Sequence, residues 1–255
     1  MQSDPRPLRG WALVLPVLIT ILVGAGLGGF VVLENQREAD RIEAADDIGS
    51  NYLNDVATFR IGVVKALDGA KQDDPADLRR ALTAAIAEPP VLPEVKGKAQ
   101  TSSSTYAEAQ RVADDLLAPY KKLSKALKKA EKDKVFVKAA RKALKLRPTD
   151  YVDGVLLESS DQVRGRLIPA FVNARDVFSQ VPVPEGATEA ANLTTAALQE
   201  VIDKATTLAD RIDDNRSYTF TYGDAAQAAL TAVENYATQA NGDVAEALNT
   251  IRDLN

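Results

Sequence analysis

From Ile42 to Ile251 apolar residues recur every three or four positions, interrupted only by short Pro, Gly and Ser clusters. That spacing follows the 3.6-residue turn of an α-helix. Ile42, Ala45, Gly49, Tyr52, Val56, Phe59, Val63 and Ala66 form the first stripe, which Gly69 and the following KQDDP end. Asp74 is placed to cap a short helix that has Pro75 at its first position and carries Leu78, Leu82 and Ile86. Residues 88–104, with three prolines and a Ser run, read as a loop. Thr105 and Glu108 have the spacing of a capping box, opening a helix that runs until Pro148 breaks it near Arg147.

The spacing then predicts a helix from about Thr149 to Val181, kinked at Pro169, and two more around Leu193–Ile212 and Ala226–Ile251. Ser217–Gly223 alternates like a strand, but a lone strand has nothing to pair with. Several stripes also fit a 3.5-residue repeat. The expected fold is therefore all-α, an up-and-down bundle of long, coiled-coil-like helices. At 45% hydrophobic residues and only 5% aromatics, rich in alanine, the helices should be long and thinly packed.

Ahead of this pattern lie 23 residues without a charge, Trp11–Leu33. As a helix they span about 35 Å, enough to cross a bilayer with tilt. The small residues Val23, Gly24 and Ala25 resemble a signal-peptidase site, but the apolar run continues through Leu33. We therefore read a short tail at 1–10, an uncleaved transmembrane signal anchor at 11–33, and a helical domain at 34–255. With no Pro between the span and the first stripe, the two are expected to form one continuous helix. Arg6 and Arg9 before the span are matched by Arg37 and Arg41 after it, so charge gives little orientation. A short, easily retained N-terminus favours an extracytoplasmic domain on a single-pass membrane protein. Gly24–Gly28 and Ala25–Gly29 have the small-x-x-x-small spacing at which membrane helices pack closely. Gly24, Gly26 and Gly29 also match a dinucleotide fingerprint, which a membrane-length apolar run does not support.

The chain holds neither Cys nor His. That removes thiol nucleophiles, disulfides, Cys/His zinc sites and Ser-His-Asp triads. Acidic pairs such as Asp46–Asp47 and Asp213–Asp214 are adjacent in sequence, and neighbours on a helix point in different directions. We expect no catalytic residue, cofactor or metal, and no enzyme activity.

The segment Tyr120–Arg147 carries twelve Lys and Arg against Glu131 and Asp133, in a chain of net charge −5. Lys121, Lys125, Lys128, Lys132, Lys142 and Lys145 flank its apolar stripe. One explanation is a solvated face with balance by acidic helices, with Glu38, Asp40, Glu43, Asp46, Asp47, Asp203, Asp210, Asp213 and Asp214 as partners. The others are an anionic lipid surface or envelope polymer, and an acidic protein partner. Nucleic acid is not expected, because the block lacks a stacking array of aromatics. Tyr218, Phe220 and Tyr222 concentrate aromatic surface into a candidate partner patch or a packed turn.

These features predict a non-enzymatic accessory or scaffold subunit of a larger membrane or envelope complex, with a protein partner or a second copy held through the helices. The alternative is an extracytoplasmic sensor or binding module for a ligand, anionic lipid or envelope polymer. In broad outline that architecture resembles bacterial four-helix-bundle ligand-sensing domains, although no motif carries a family assignment.

Overall fold

The computed structural model describes the backbone of residues 28–36 and, in full, residues 37–153, 157 and 159–254. These residues form eight α-helices and, among them, no strand. They are α1 (Gly28–Asp68), α2 (Pro75–Ala85), α3 (Lys98–Ser102), α4 (Ser104–Asp115), α5 (Ala118–Leu144), α6 (Ile168–Ser179), α7 (Thr188–Asp213) and α8 (Asp224–Arg252). The all-helical expectation holds, with long helices packed together. Of the apolar run Trp11–Leu33, residues 11–27 lie outside the described residues, as do Gly24 and Ala25. Residues 28–33, with Gly28 and Gly29, begin α1, which continues unbroken for 41 residues. No helix among the described residues is long and apolar enough to cross a membrane.

The predicted start of α2 is in place: Asp74 accepts a hydrogen bond from the Ala76 amide at 3.2 Å, with Pro75 at the first helical position. The predicted start of α4 is two residues late. Ser103 is its cap, accepting from the Tyr106 amide at 2.9 Å and donating to the Asp46 carboxylate at 2.6 Å. Ser103 wins because α1 supplies it with a partner, which no local spacing shows.

The long helix expected from Thr105 to Arg147 is two helices, divided at Leu116–Leu117. Pro119 explains the division, since it donates no amide hydrogen and its ring would strike the Asp115 carbonyl one turn back. The helix expected from Thr149 to Val181 is also shorter. After a 3₁₀ turn at Pro148–Asp150, the described residues between Tyr151 and Ser160 are irregular, and helix resumes at Asp161 and passes into a π-helical stretch, Val163–Leu167. That stretch ends two residues before Pro169, which has no amide hydrogen to donate, and it bonds i→i+5, as the Ile168 amide does to the Val163 carbonyl. Val177 is 55% exposed, while its neighbour Phe178 is buried.

Packing gives the elements their directions. Gly49 of α1 meets the start of α4 so closely that an added Cβ would lie 2.9 Å from backbone atoms of Thr105 and Tyr106. Further along, Tyr52 and Val56 pack with Ala109 and Leu116. Both helices thus advance together, and α4 runs parallel to α1 rather than antiparallel. The connection through residues 86–103 makes this arrangement feasible by returning the chain to the Ala45 end of α1, where Ala99 and Tyr106 join it.

α5 carries the same direction onward. Its first turns, Tyr120, Leu123 and Leu127, pack with Val63 and Leu67 at the end of α1. Its second half, Phe136, Val137, Ala140 and Ala143, belongs to a separate cluster with Phe171, Phe178, Leu198, Val201 and Val233. α2 descends along α5, with Arg79 on Glu131 and Asp74 near Lys134. α8 also runs antiparallel to α5: Glu234 meets Arg141, and Asp243 meets Lys129. α8 thereby joins both clusters, reaching the α1 end with Leu248 and Ile251.

Candidate binding site for anions

The basic segment Tyr120–Arg147 folds almost entirely into α5. Three of its twelve cations have a carboxylate within reach among the described residues: Lys129 with Asp243, Lys134 with Asp74, and Arg141 with Glu234. The other nine have none among the described residues. The acids proposed to balance them are engaged elsewhere or lie apart. Glu38 faces Lys98, Asp210 and Asp213 hold Arg164, and Asp46 accepts from Ser103. Ion pairs therefore account for a minority of the charge, and the other nine cations are exposed to solvent, as the solvated-face part of the first explanation expects.

Where pairs do form, the carboxylates carry the signature. Arg141 holds Glu234 below its ordinary carboxylate range, chiefly by donating hydrogen bonds to it. Asp213 is lowered first by a hydrogen bond from Ser160 and then by Arg164. Asp46 is lowered by Ser103. The carboxylates themselves stay in contact with water, which screens these interactions.

The six singled-out lysines fall in two places. Lys121, Lys125, Lys128 and Lys132 step by four, three and four residues, so they share the outward face of the first half of α5, all exposed. Val135, 60% exposed, extends the row. Lys142 and Lys145 instead line a cleft of about 650 Å³ between α5, α8 and the start of α2. Lys134, Lys138 and Arg141 stand beside them, over an apolar floor that includes Val137, Ala237 and Ala240. Small alanines at the α5–α8 contact leave the space open.

The deepest polar group in the cleft is Asp133, which is 3% exposed. It accepts a 2.7 Å hydrogen bond from the Tyr236 hydroxyl. Burial, followed by the adjacent Asp133, drives the Tyr236 hydroxyl well above the ordinary tyrosine range, so it remains a donor. Sequence reasoning did not single out this pair. Its signal was available: Asp133 lies three residues after Ala130 and four before Val137, on the buried stripe.

The aromatic patch is mostly a packed turn. Phe220 packs against the main cluster and Tyr218 is half-buried, while Tyr222 is 41% exposed, with its ring 5.7 Å from that of Phe220. Tyr222 also borders a second, apolar pocket of about 250 Å³ between the end of α5, α6 and α7. Among the described residues no three acidic side chains gather as a metal site.

Fold and site together define a helical-bundle protein with an open basic face and a basic cleft. Comparison of the chain with protein-family models, curated proteins and solved structures finds no match.

Proposed function

We propose that this is a membrane-tethered, non-enzymatic binding module whose basic α5 face engages an anionic polymer of the cell envelope. The observation that carries the reading is the set of nine α5-segment cations without a carboxylate partner among the described residues.

Distance selects polymer over bilayer. If Trp11–Leu33 crosses a membrane, α1 rises from it as the same helix. Thirty residues separate Leu33 from Val63, which at 1.5 Å each is about 45 Å. The start of α5 is level with Val63, and the rest of α5 continues beyond. Charges in physiological salt are screened over about 8 Å. The lysine row thus stands several screening lengths from the headgroups beneath it, within reach of an extended chain of negative charges. Lysines spaced a turn apart, about 5 Å, suit such a chain because each adds to the local potential without fixing one geometry.

The test is co-sedimentation of the full-length protein in nanodiscs with dextran sulfate, and with neutral dextran as the control. Binding should weaken with salt and fall at least tenfold when Lys121, Lys125, Lys128 and Lys132 are all changed to Gln. Equal binding by that variant and the wild type refutes the proposal.

A second reading, an accessory or scaffold subunit of a larger membrane complex, is favoured by Val135, Val177 and Val183, each more than half exposed. Native-gel migration within a large assembly after gentle extraction supports it; migration as monomer or dimer removes it.

A further inference from the structure

We infer that the end of the bundle remote from α1 binds a free, single-chain anionic amphiphile, with its head on Lys138, Lys142 and Lys145 and its chain in the pocket beside Tyr222. This deepens the anion-binding reading, because it rests on the same unpartnered cations of α5.

Two cavities make the case together. The basic cleft has three ammonium groups on successive turns of α5, none with a carboxylate partner among the described residues. The two carboxylates that line the cleft lie apart from these groups in their bonding. Asp133 is taken by Tyr236, and Asp73 lies beside Lys134, which donates to its carbonyl at 3.1 Å. The neighbouring pocket is walled by Phe171, Leu198, Val201 and Tyr222, with Lys145 and Arg147 at its rim. Lys145 lines both cavities, which makes them neighbours at the end of α5.

No simpler ligand uses both halves. A small inorganic anion would leave the apolar pocket and the Val137–Ala240 floor in water. A neutral apolar molecule would gain nothing from three unpaired cations. An anionic head joined to one alkyl chain meets both, by charge at the lysines and by burial of apolar area in the pocket. Lysine acts as a point charge rather than a fork, so the head is a phosphate monoester or a carboxylate without further distinction. The pocket's modest volume, about 250 Å³, suits one chain better than two.

The experiment uses the full chain in nanodiscs of zwitterionic lipid, labelled by a diazirine-bearing dodecyl phosphate below its micellar concentration. Cross-links are mapped by mass spectrometry. Labelling is expected at Leu198–Val201 and Tyr222–Ala226, displaced by unlabelled dodecyl phosphate but not by equal inorganic phosphate or dodecanol. It should fall at least tenfold in Lys142→Gln/Lys145→Gln and in the pocket-filling Ala226→Leu. It should persist in the Gln variant of Lys121, Lys125, Lys128 and Lys132. Equal labelling of the cleft and pocket variants overturns the inference, as does displacement by inorganic phosphate alone. Displacement by phosphatidic acid held in the disc assigns the head to a bilayer lipid and also overturns it. If the wild type is labelled but does not co-sediment with dextran sulfate, only the polymer reading is sunk; if it co-sediments but is not labelled, only this one is.

Discussion

Changing Tyr236 to Phe deletes one hydroxyl from the middle of the α5–α8 contact. The ring keeps its place, edge-on to Phe136 with centroids 5.8 Å apart and planes at 85°, so no cavity opens. What is lost is the 2.7 Å hydrogen bond to the Asp133 carboxylate, a group that is 3% exposed. A hydrogen bond to a charged group contributes about 1.5–3 kcal/mol, and an acceptor left buried without its donor incurs the larger figure. We expect a loss of about 2 kcal/mol. In a bundle of this size, each kcal/mol moves the melting temperature by about 2–4 °C. The variant should therefore melt about 4–8 °C lower by circular dichroism at 222 nm, with helicity unchanged at low temperature. Asp133→Asn, which keeps an acceptor and removes the charge, should lose less. If Tyr236→Phe melts within about 1 °C of the wild type, the hydrogen bond is not a net contributor and the reasoning fails. If Asp133→Asn costs more than Tyr236→Phe, the charge itself is needed, by a lysine of the cleft rather than by tyrosine.

Gly49→Ala should destabilise by about 1–3 kcal/mol, because the new methyl would meet the backbone of Thr105 and Tyr106, which cannot swing aside as a flexible side chain would. Urea titration checks this, with Gly62→Ala as a control at a position where the added methyl meets nothing within 4 Å. Stability should also fall at high pH. Burial raises the hydroxyls of Tyr52, Tyr120 and Tyr236 above their ordinary value of 10.0. The folded chain therefore holds these protons longer than the unfolded chain, so their contribution is intact below about pH 10 and lost as pH rises through the folded values. Melting curves from pH 8 to 11.5 should show a flat region followed by a decline, less steep in Tyr236→Phe; a flat profile to pH 11.5 contradicts the assignment.

Helix content was legible because each stripe is long and periodic. Tyr52, Val56 and Val63 of the first stripe, and Leu78 and Leu82 of the next helix, were placed by spacing, and they are buried. The direction of α4 was not legible. It depends on where the irregular segment 86–103 travels, and that is fixed by contacts such as the Tyr106 hydroxyl donating to the Pro93 carbonyl and accepting from the Val95 amide. The irregular stretch after Asp150 escaped for a similar reason, since apolar residues at helical spacing also occur in segments held by side chains, as Gln162 holds the Asp153 amide at 2.6 Å. Lys142 and Lys145 were found by charge alone. Their cleft was not, because it requires α8 to be laid beside α5.

The junction of α1 with α8 has a consequence for the order of assembly. Arg60 donates to the Leu254 carbonyl across 194 residues of sequence, and Arg252 meets Asp68 across 184. Leu248 and Ile251 also fill the cluster around Val63 and Leu67. The far end of α1 thus has an incomplete apolar surface until the final turns of α8 have been synthesised and have folded back. Closing so long a loop is slow relative to forming the neighbouring hairpins. During synthesis the helices that touch their sequence neighbours can pair first, and the apolar tip of α1 is the last surface to be covered.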